Sequence, residues 1–186
     1  TPTLVAPPGA GLASAGLPIV ADRFADGGAL GALWTALDAA ATDLAVFAVG
    51  SGSSGAAAAW TMAWTHPERY RKVLSYSGTF VNQAWPPDPR TPRGGWEYHA
   101  KLIPNSPKKP IRMWMHVSAQ DNHFDDPDST WHNWPRANNL MAAALKKKGY
   151  DHKYVWSEES RHVDPRVVMQ TLPSALEWLW RDYPRN

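Results

Sequence analysis

The 186-residue chain contains no cysteine. This absence excludes a disulfide framework, a thiolate nucleophile and zinc sites built on cysteine. No run reaches the roughly 18 apolar residues of a membrane-spanning helix, so we expect no membrane partner. The formal net charge is only +2, and the one basic run, Lys146-Lys147-Lys148, is typical of a solvated helix end. We therefore expect no nucleic-acid partner, and the cellular compartment stays open.

Charge is scarce in the first third of the chain. Residues 1–60 contain five charged residues and neither lysine nor glutamate, whereas the rest of the chain contains 31. The overall composition, 44% apolar and 19% charged, is that of a globular protein, and the length suits one domain. The change in composition falls at a Gly/Ser turn. We predict a single α/β domain over residues 1–186, with a seam near residues 49–55 between two segments of different origin.

Apolar runs alternate with helical patterns along the chain. This alternation predicts a mostly parallel sheet with helices on both faces, a three-layer α/β sandwich. Strands are predicted at 3–6, 18–21, 44–49, 71–77, 111–117 and around 154–156, and helices at 28–41, 54–65, 134–148 and 167–180, the last kinked at Pro173. Residues 79–110 hold seven prolines and no clear period, which predicts a long loop or cap. A loop is also predicted at 158–162.

The Gly/Ser turn at 50–55 matches two functional motifs. Gly50-x-Gly52-x-x-Gly55 is the dinucleotide fingerprint, and 51–55 is the nucleophile elbow G-x-S-x-G with Ser51 in place of its first glycine. The fingerprint requires an acid at the end of the next strand, but that strand ends at Tyr76 and Ser77. The elbow is therefore favoured. A nucleotide-binding domain and a merely flexible Gly/Ser joint stay open as alternatives.

An elbow serine requires a histidine to take its proton and a carboxylate to orient the histidine. In α/β-hydrolases these residues follow the order serine, acid, histidine. Ser53, Asp121 and His162 follow that order, and each comes just after a predicted strand. Because such positions meet at the carboxyl edge of a parallel sheet, the sequence predicts a catalytic triad there.

Each triad residue also has a plain structural interpretation. A serine in a Gly/Ser run is commonly a turn residue, and a histidine commonly lies at the surface. Three other acids of the same loop are candidates for the acid of the triad: Asp125, Asp126 and Asp128. The alternative interpretations of these loop acids are solvated side chains or a calcium-type oxygen cluster. Asp121 is preferred because it lies nearest to the strand end.

Seven stretches carry a family resemblance: SGSSG at 51–55, WTHPERY at 64–70, SYSGTFVNQ at 75–83, IPNSPKKP at 103–110, WMHV at 114–117, WPRAN at 134–138 and LPSALEWLW at 172–180. Together, residues 49–184 resemble the C-terminal portion of the esterase family of α/β-hydrolases related to enterochelin and feruloyl esterases. The resemblance implies an α/β-hydrolase-like fold and a cofactor-independent serine esterase, with its nucleophile at Ser53, its acid at Asp121 and its base at His162. The chain departs from the family at Ser51, Ser118 and Ala119, which replace the first elbow glycine and a Gly-Asp pair.

A second resemblance covers residues 15–49. It rests on LPIVADR at 17–23, GGALGAL at 27–33 and DLAVFAV at 43–49, which are similar to molybdenum-cofactor guanylyltransferase-type nucleotidyltransferases. This segment stands where the esterase family has its N-terminal half. The backbone N–H of Ser54 is the expected oxyanion donor, whereas the family takes its second donor from the replaced half. An impaired or inactive chimeric hydrolase scaffold is therefore an alternative to an active esterase.

Four tryptophans fall in predicted loops near the expected site: Trp85, Trp96, Trp131 and Trp134. They are suited to stack on an aromatic acyl group or a sugar, or to form the core of a cap. Of these, Trp85, Trp131 and Trp134 are the predicted substrate-binding residues. We expect a small-molecule ester as substrate and no cofactor or metal, and the sequence leaves the oligomeric state open.

Overall fold

The computed structural model describes residues 4–6, 19–21, 53–83 and 86–182. Its main elements are β1 (Leu4–Ala6), β2 (Ile19–Ala21), α1 (Ser53–Thr65), β3 (Lys72–Tyr76), β4 (Arg112–Gln120), α2 (Trp134–Lys147), β5 (Asp151–Arg161) and α3 (Pro165–Leu179). The predicted helix at 28–41 and the predicted strand at 44–49 lie outside the described residues. None of the described helices is long and apolar enough to cross a membrane.

Strands β3, β4 and β5 form a parallel sheet in that order. This confirms the predicted α/β class and the parallel direction of the strands. The register between β4 and β5 shifts near the carboxyl edge, since Ser118 pairs with Ser157 but Gln120 pairs with Arg161. Strand β5 therefore uses two more residues than β4 to reach the same edge. Strands β1 and β2 form a separate parallel pair.

Helix α1 follows directly from its alanine-rich sequence, because alanine has the highest helix propensity. Ala56, Ala59, Trp60 and Ala63 are buried, and their spacing of three and four residues places them on one face. The connection from Thr65 to β3 is short, and α1 packs against β3. The chain therefore reverses direction, and α1 begins near the carboxyl edge of the sheet.

Both faces of the central strand β4 are covered by helices. Met113 and Met115 pack into a cluster with residues of α1 and α2. Trp114, on the opposite face, packs with Leu74 and with residues of α3. A parallel strand covered on both sides needs apolar side chains on both faces, which explains the consecutive apolar residues Met113, Trp114 and Met115 of β4.

Two predictions about irregular segments were wrong. Residues 79–110 contain short helical turns at Gly94–Trp96, Tyr98–Leu102 and Ile103–Asn105, because Trp96 and Ile103 are buried against the core. Residues 158–161, predicted as a loop, belong to β5. Most side chains of β5 are at least partly exposed, so its sequence is polar and resembles a loop. Helix α3 continues through Pro173.

An ion network lies at the amino end of the sheet. Arg112, the first residue of β4, donates to Asp151 Oδ2 at 2.7 Å and to the carbonyl of Leu179 at 2.9 Å, and it also pairs with Asp182. Arg181 donates to the same Asp151 oxygen at 2.7 Å. The network ties the start of β4 to the start of β5 and to the end of α3.

Candidate active site

Three polar residues follow the three parallel strands at the same edge of the sheet. Ser77 comes directly after β3, Asp121 after β4 and His162 after β5. In a parallel sheet the carboxyl ends of all strands lie together, and this edge is the usual place for a ligand or active site. The chain therefore brings side chains that are far apart in sequence to one edge.

Asp121 and His162 are in direct contact. His162 Nδ1 lies 2.5 Å from Asp121 Oδ1, which also accepts the backbone N–H of Asn122 at 2.7 Å. The Asp121 side chain is fully buried, whereas 27% of the His162 side chain is exposed. Because a carboxylate only accepts hydrogen bonds, the proton of a neutral His162 resides on Nδ1. Its Nε2 then carries the lone pair of a potential base.

The remaining acids of the same loop have different surroundings. Asp126 pairs with His123 at 3.1 Å and Asp128 pairs with Arg136 at 3.1 Å, both in partly or fully exposed positions. Asp125 is exposed. Among the described residues, no group of three or more histidine, aspartate or glutamate side chains is placed to hold a metal ion. Of these acids, Asp121 is the one that contacts His162.

Ser53 is the first residue of α1, and its side chain lies outside the described part of the chain. Ser54 follows it in the first turn and is exposed. The first N–H groups of a helix have no partner within the helix, and the helix dipole favours negative charge there. The backbone N–H of Ser54 is therefore suited to bind an oxyanion.

Trp134 lies beside the His162 imidazole. The centroids of these two rings are 6.1 Å apart, and the rings are nearly perpendicular. Trp134 also contacts a second histidine, His123, whose ring stacks on it with the centroids 5.8 Å apart. Trp131 is partly buried, and its carbonyl accepts the N–H of Asn82 at 2.9 Å. This bond links the tryptophan-containing loop to the segment that follows β3.

A cleft of about 620 Å³ opens between these two segments. Its walls include a tryptophan of the loop, the tryptophan that begins α2, two histidines and two side-chain amides: Trp131, Trp134, His123, His132, Asn82 and Gln83. Sequence reasoning selected the tryptophans but missed the histidines, although their position in the same Trp-containing loop was a signal. Trp96 is buried in the core, and Trp85 lies outside the described residues.

No protein-family model matches the chain, and no curated protein matches it either. The chemistry open to the protein is therefore inferred from the geometry at this edge of the sheet.

A buried histidine lies beneath the site. His116 of β4 is fully buried, and its Nε2 lies 2.8 Å from Ser157 Oγ. Burial lowers the pKa of His116 from its ordinary value of 6.5 to about 4. Burial, followed by the nearby charges of Arg93 and Arg136, likewise lowers the pKa of His99 to about 4. Both imidazoles are therefore neutral at pH 7.

We expect these two histidines to make the protein acid-sensitive. Between pH 6.5 and about 4 the unfolded chain binds protons at both positions and the folded chain does not, so the free energy of unfolding falls as the pH falls. The loss amounts to roughly 3 kcal/mol per histidine and is complete below about pH 4. Urea denaturation at a series of pH values measures it.

The matched variants are H116N and H99N, in which a non-titrating amide replaces the imidazole. Each single variant is expected to lose about half of this pH dependence, and the double variant nearly all of it. An unchanged slope in the double variant would show that other groups govern the acid sensitivity.

Proposed function

We propose that the protein is a serine hydrolase that cleaves carboxylic esters, with an α/β-hydrolase-like fold and the triad Ser53, Asp121 and His162. The observation that carries the proposal is the contact of 2.5 Å between Asp121 and His162, two residues that each follow a strand of the parallel sheet. The short, charge-assisted bond holds the imidazole with Nε2 free to act as a base.

In the proposed reaction, the Ser53 hydroxyl attacks the ester carbonyl while His162 Nε2 takes its proton. The tetrahedral oxyanion accepts a hydrogen bond from the N–H of Ser54, and Asp121 stabilises the imidazolium. The intermediate collapses, and Nε2 returns the proton to the departing alcohol. A water molecule then attacks the acyl-enzyme with His162 again as base, and Ser53 and a carboxylic acid are released.

The position of Ser53 supports its role as nucleophile. It begins α1, the helix that packs beside β3 and starts near the carboxyl edge. The cleft supports the proposal through Trp134, which lines it and whose ring lies 6.1 Å from the His162 imidazole.

Covalent labelling tests the proposal directly. We expect a fluorophosphonate probe to add one phosphonyl group to the folded protein, and mass spectrometry of the digested protein to place it on Ser53. The reason is that a phosphonate reacts with a serine whose proton is taken by a neighbouring base.

S53A is expected to abolish the adduct. S174A, which removes an exposed hydroxyl from α3, is the matched control and is expected to label like the parent protein. A folded protein that does not react would support the inactive scaffold instead, and an adduct that persists in S53A would assign the reaction to another residue.

A further inference from the structure

Two buried serines contact the backbone on either side of His162. Ser118 Oγ, in β4, donates to the carbonyl of Arg161 at 2.9 Å. Ser77 Oγ, after β3, accepts the N–H of Val163 at 3.1 Å. Both serines are fully buried. The residue before His162 and the residue after it are therefore each held by a hydroxyl from a different part of the sheet edge.

The Ser118 hydroxyl belongs to a short hydrogen-bond chain. Its oxygen lies 2.8 Å from Ser160 Oγ, and because its own proton goes to the Arg161 carbonyl, Ser160 is the donor of this bond. Ser160 lies in the part of β5 where the register is shifted relative to β4. The bonds therefore hold the irregular end of β5, from which His162 projects.

Ser77 adopts a conformation that a serine rarely takes. Its φ of +51° lies in the left-handed region, and Val163, its partner, has a φ of +47°. The N–H of Ser77 donates to the carbonyl of His116 at 2.8 Å. Glycine is the ordinary residue for such a turn, but glycine has no hydroxyl to accept the N–H of Val163.

We propose that Ser77 and Ser118 are positioning residues that hold the His162 backbone from both sides, so that the imidazole stays on Asp121 with Nε2 directed at the nucleophile. Neither serine is placed to touch the substrate, and each acts through His162. This inference rests on the proposed function for its kinetic consequences. Its structural consequence, a rigid Asp121–His162 bond, does not depend on activity.

The kinetic test uses S77A and S118A with a p-nitrophenyl ester. We expect each to lower kcat by about 10- to 100-fold, with KM changed less than about twofold, because a displaced imidazole affects the reaction rather than ground-state binding. S77G separates the hydroxyl from backbone strain, since glycine relieves the strain but supplies no acceptor. We expect the kcat of S77G to be as low as that of S77A, although the free energy of unfolding of S77G is at least as high as that of S77A.

The second readout is the proton NMR signal of His162 Nδ1–H, which the short bond to Asp121 shifts far downfield. We expect this signal in the parent protein and in S174A, and its broadening or loss in S77A, S77G and S118A while the rest of the spectrum remains that of a folded protein. D121N, which removes the bond partner, assigns the signal.

The two readouts distinguish the possible failures. A protein without esterase activity whose downfield signal is still lost in the serine variants would overturn the proposed function but uphold the positioning role. Conversely, an active protein in which S77A and S118A retain both the signal and the parental kcat would overturn the positioning role. Parental kcat restored in S77G would attribute the effect of S77A to strain and overturn the role of the Ser77 hydroxyl.

Discussion

Replacing Asp121 by asparagine is expected to lower kcat for ester hydrolysis by about 10⁴-fold with little change in KM. An asparagine at this position can direct its NH₂ group at His162 Nδ1, which moves the imidazole proton to Nε2. The base then lacks a free lone pair toward Ser53, and the negative charge that stabilises the imidazolium is also lost. Steady-state hydrolysis of a p-nitrophenyl ester, with an assay sensitive enough to follow the residual rate, measures the effect.

Asp125 provides the matched control for this experiment. It is an exposed aspartate in the same loop, four residues further along, so D125N makes the same chemical change without touching His162. We expect D125N to retain the parental kcat. A fall of less than about 10-fold in D121N would show that Asp121 does not orient the catalytic base, however short its bond to His162.

The largest expected effect on stability is that of W60A. Trp60 is fully buried in the middle of α1, and its ring lies within 5.8 to 6.3 Å of the rings of Trp64, Tyr98 and Tyr150. Truncation leaves a cavity among these rings and is expected to lower the free energy of unfolding by about 3 to 5 kcal/mol. This is a large share of the roughly 5 to 15 kcal/mol that stabilises a typical domain.

Urea denaturation of W60A, W60F and M169A separates the stability lost with a buried aromatic ring from the stability lost when any apolar side chain is shortened. W60F keeps a ring in the cluster and is expected to lose less stability than W60A. Met169 is 79% exposed, so M169A is expected to change the free energy of unfolding by no more than about 0.5 kcal/mol. A loss below about 1 kcal/mol in W60A would show that the aromatic cluster does not stabilise the sheet.

Two helices were predictable from the sequence, α1 from its unbroken alanine-rich segment and α2 from its amphipathic period. Helix α1 was predicted at 54–65 and is found at Ser53–Thr65, and α2 was predicted at 134–148 and is found at Trp134–Lys147. Both helices bury one face, so the apolar spacing in the sequence reflects their packing. Strand β5 was placed correctly but made too short, because its exposed side chains have no apolar alternation toward its end.

The arrangement of the site was predictable only in part. The order of Asp121 and His162 relative to two strands predicted that they share one edge of the sheet, and the structure places them in contact. Ser77 and Ser118 were not predicted as contacts of the histidine segment. Their bonds join residues 86 and 43 positions apart in sequence, and nothing local distinguishes a buried serine from a turn serine.

Strand β4 joins two regions with separate tasks. Arg112 begins the strand within an ion network, and Asp121 follows its last residue, so at about 3.3 Å per residue the two side chains originate roughly 30 Å apart. Substitutions at such distances generally have additive effects. The amino end of the sheet is therefore the natural target for laboratory evolution toward heat tolerance, since variants selected there leave the proposed catalytic residues at the opposite edge free to be varied independently.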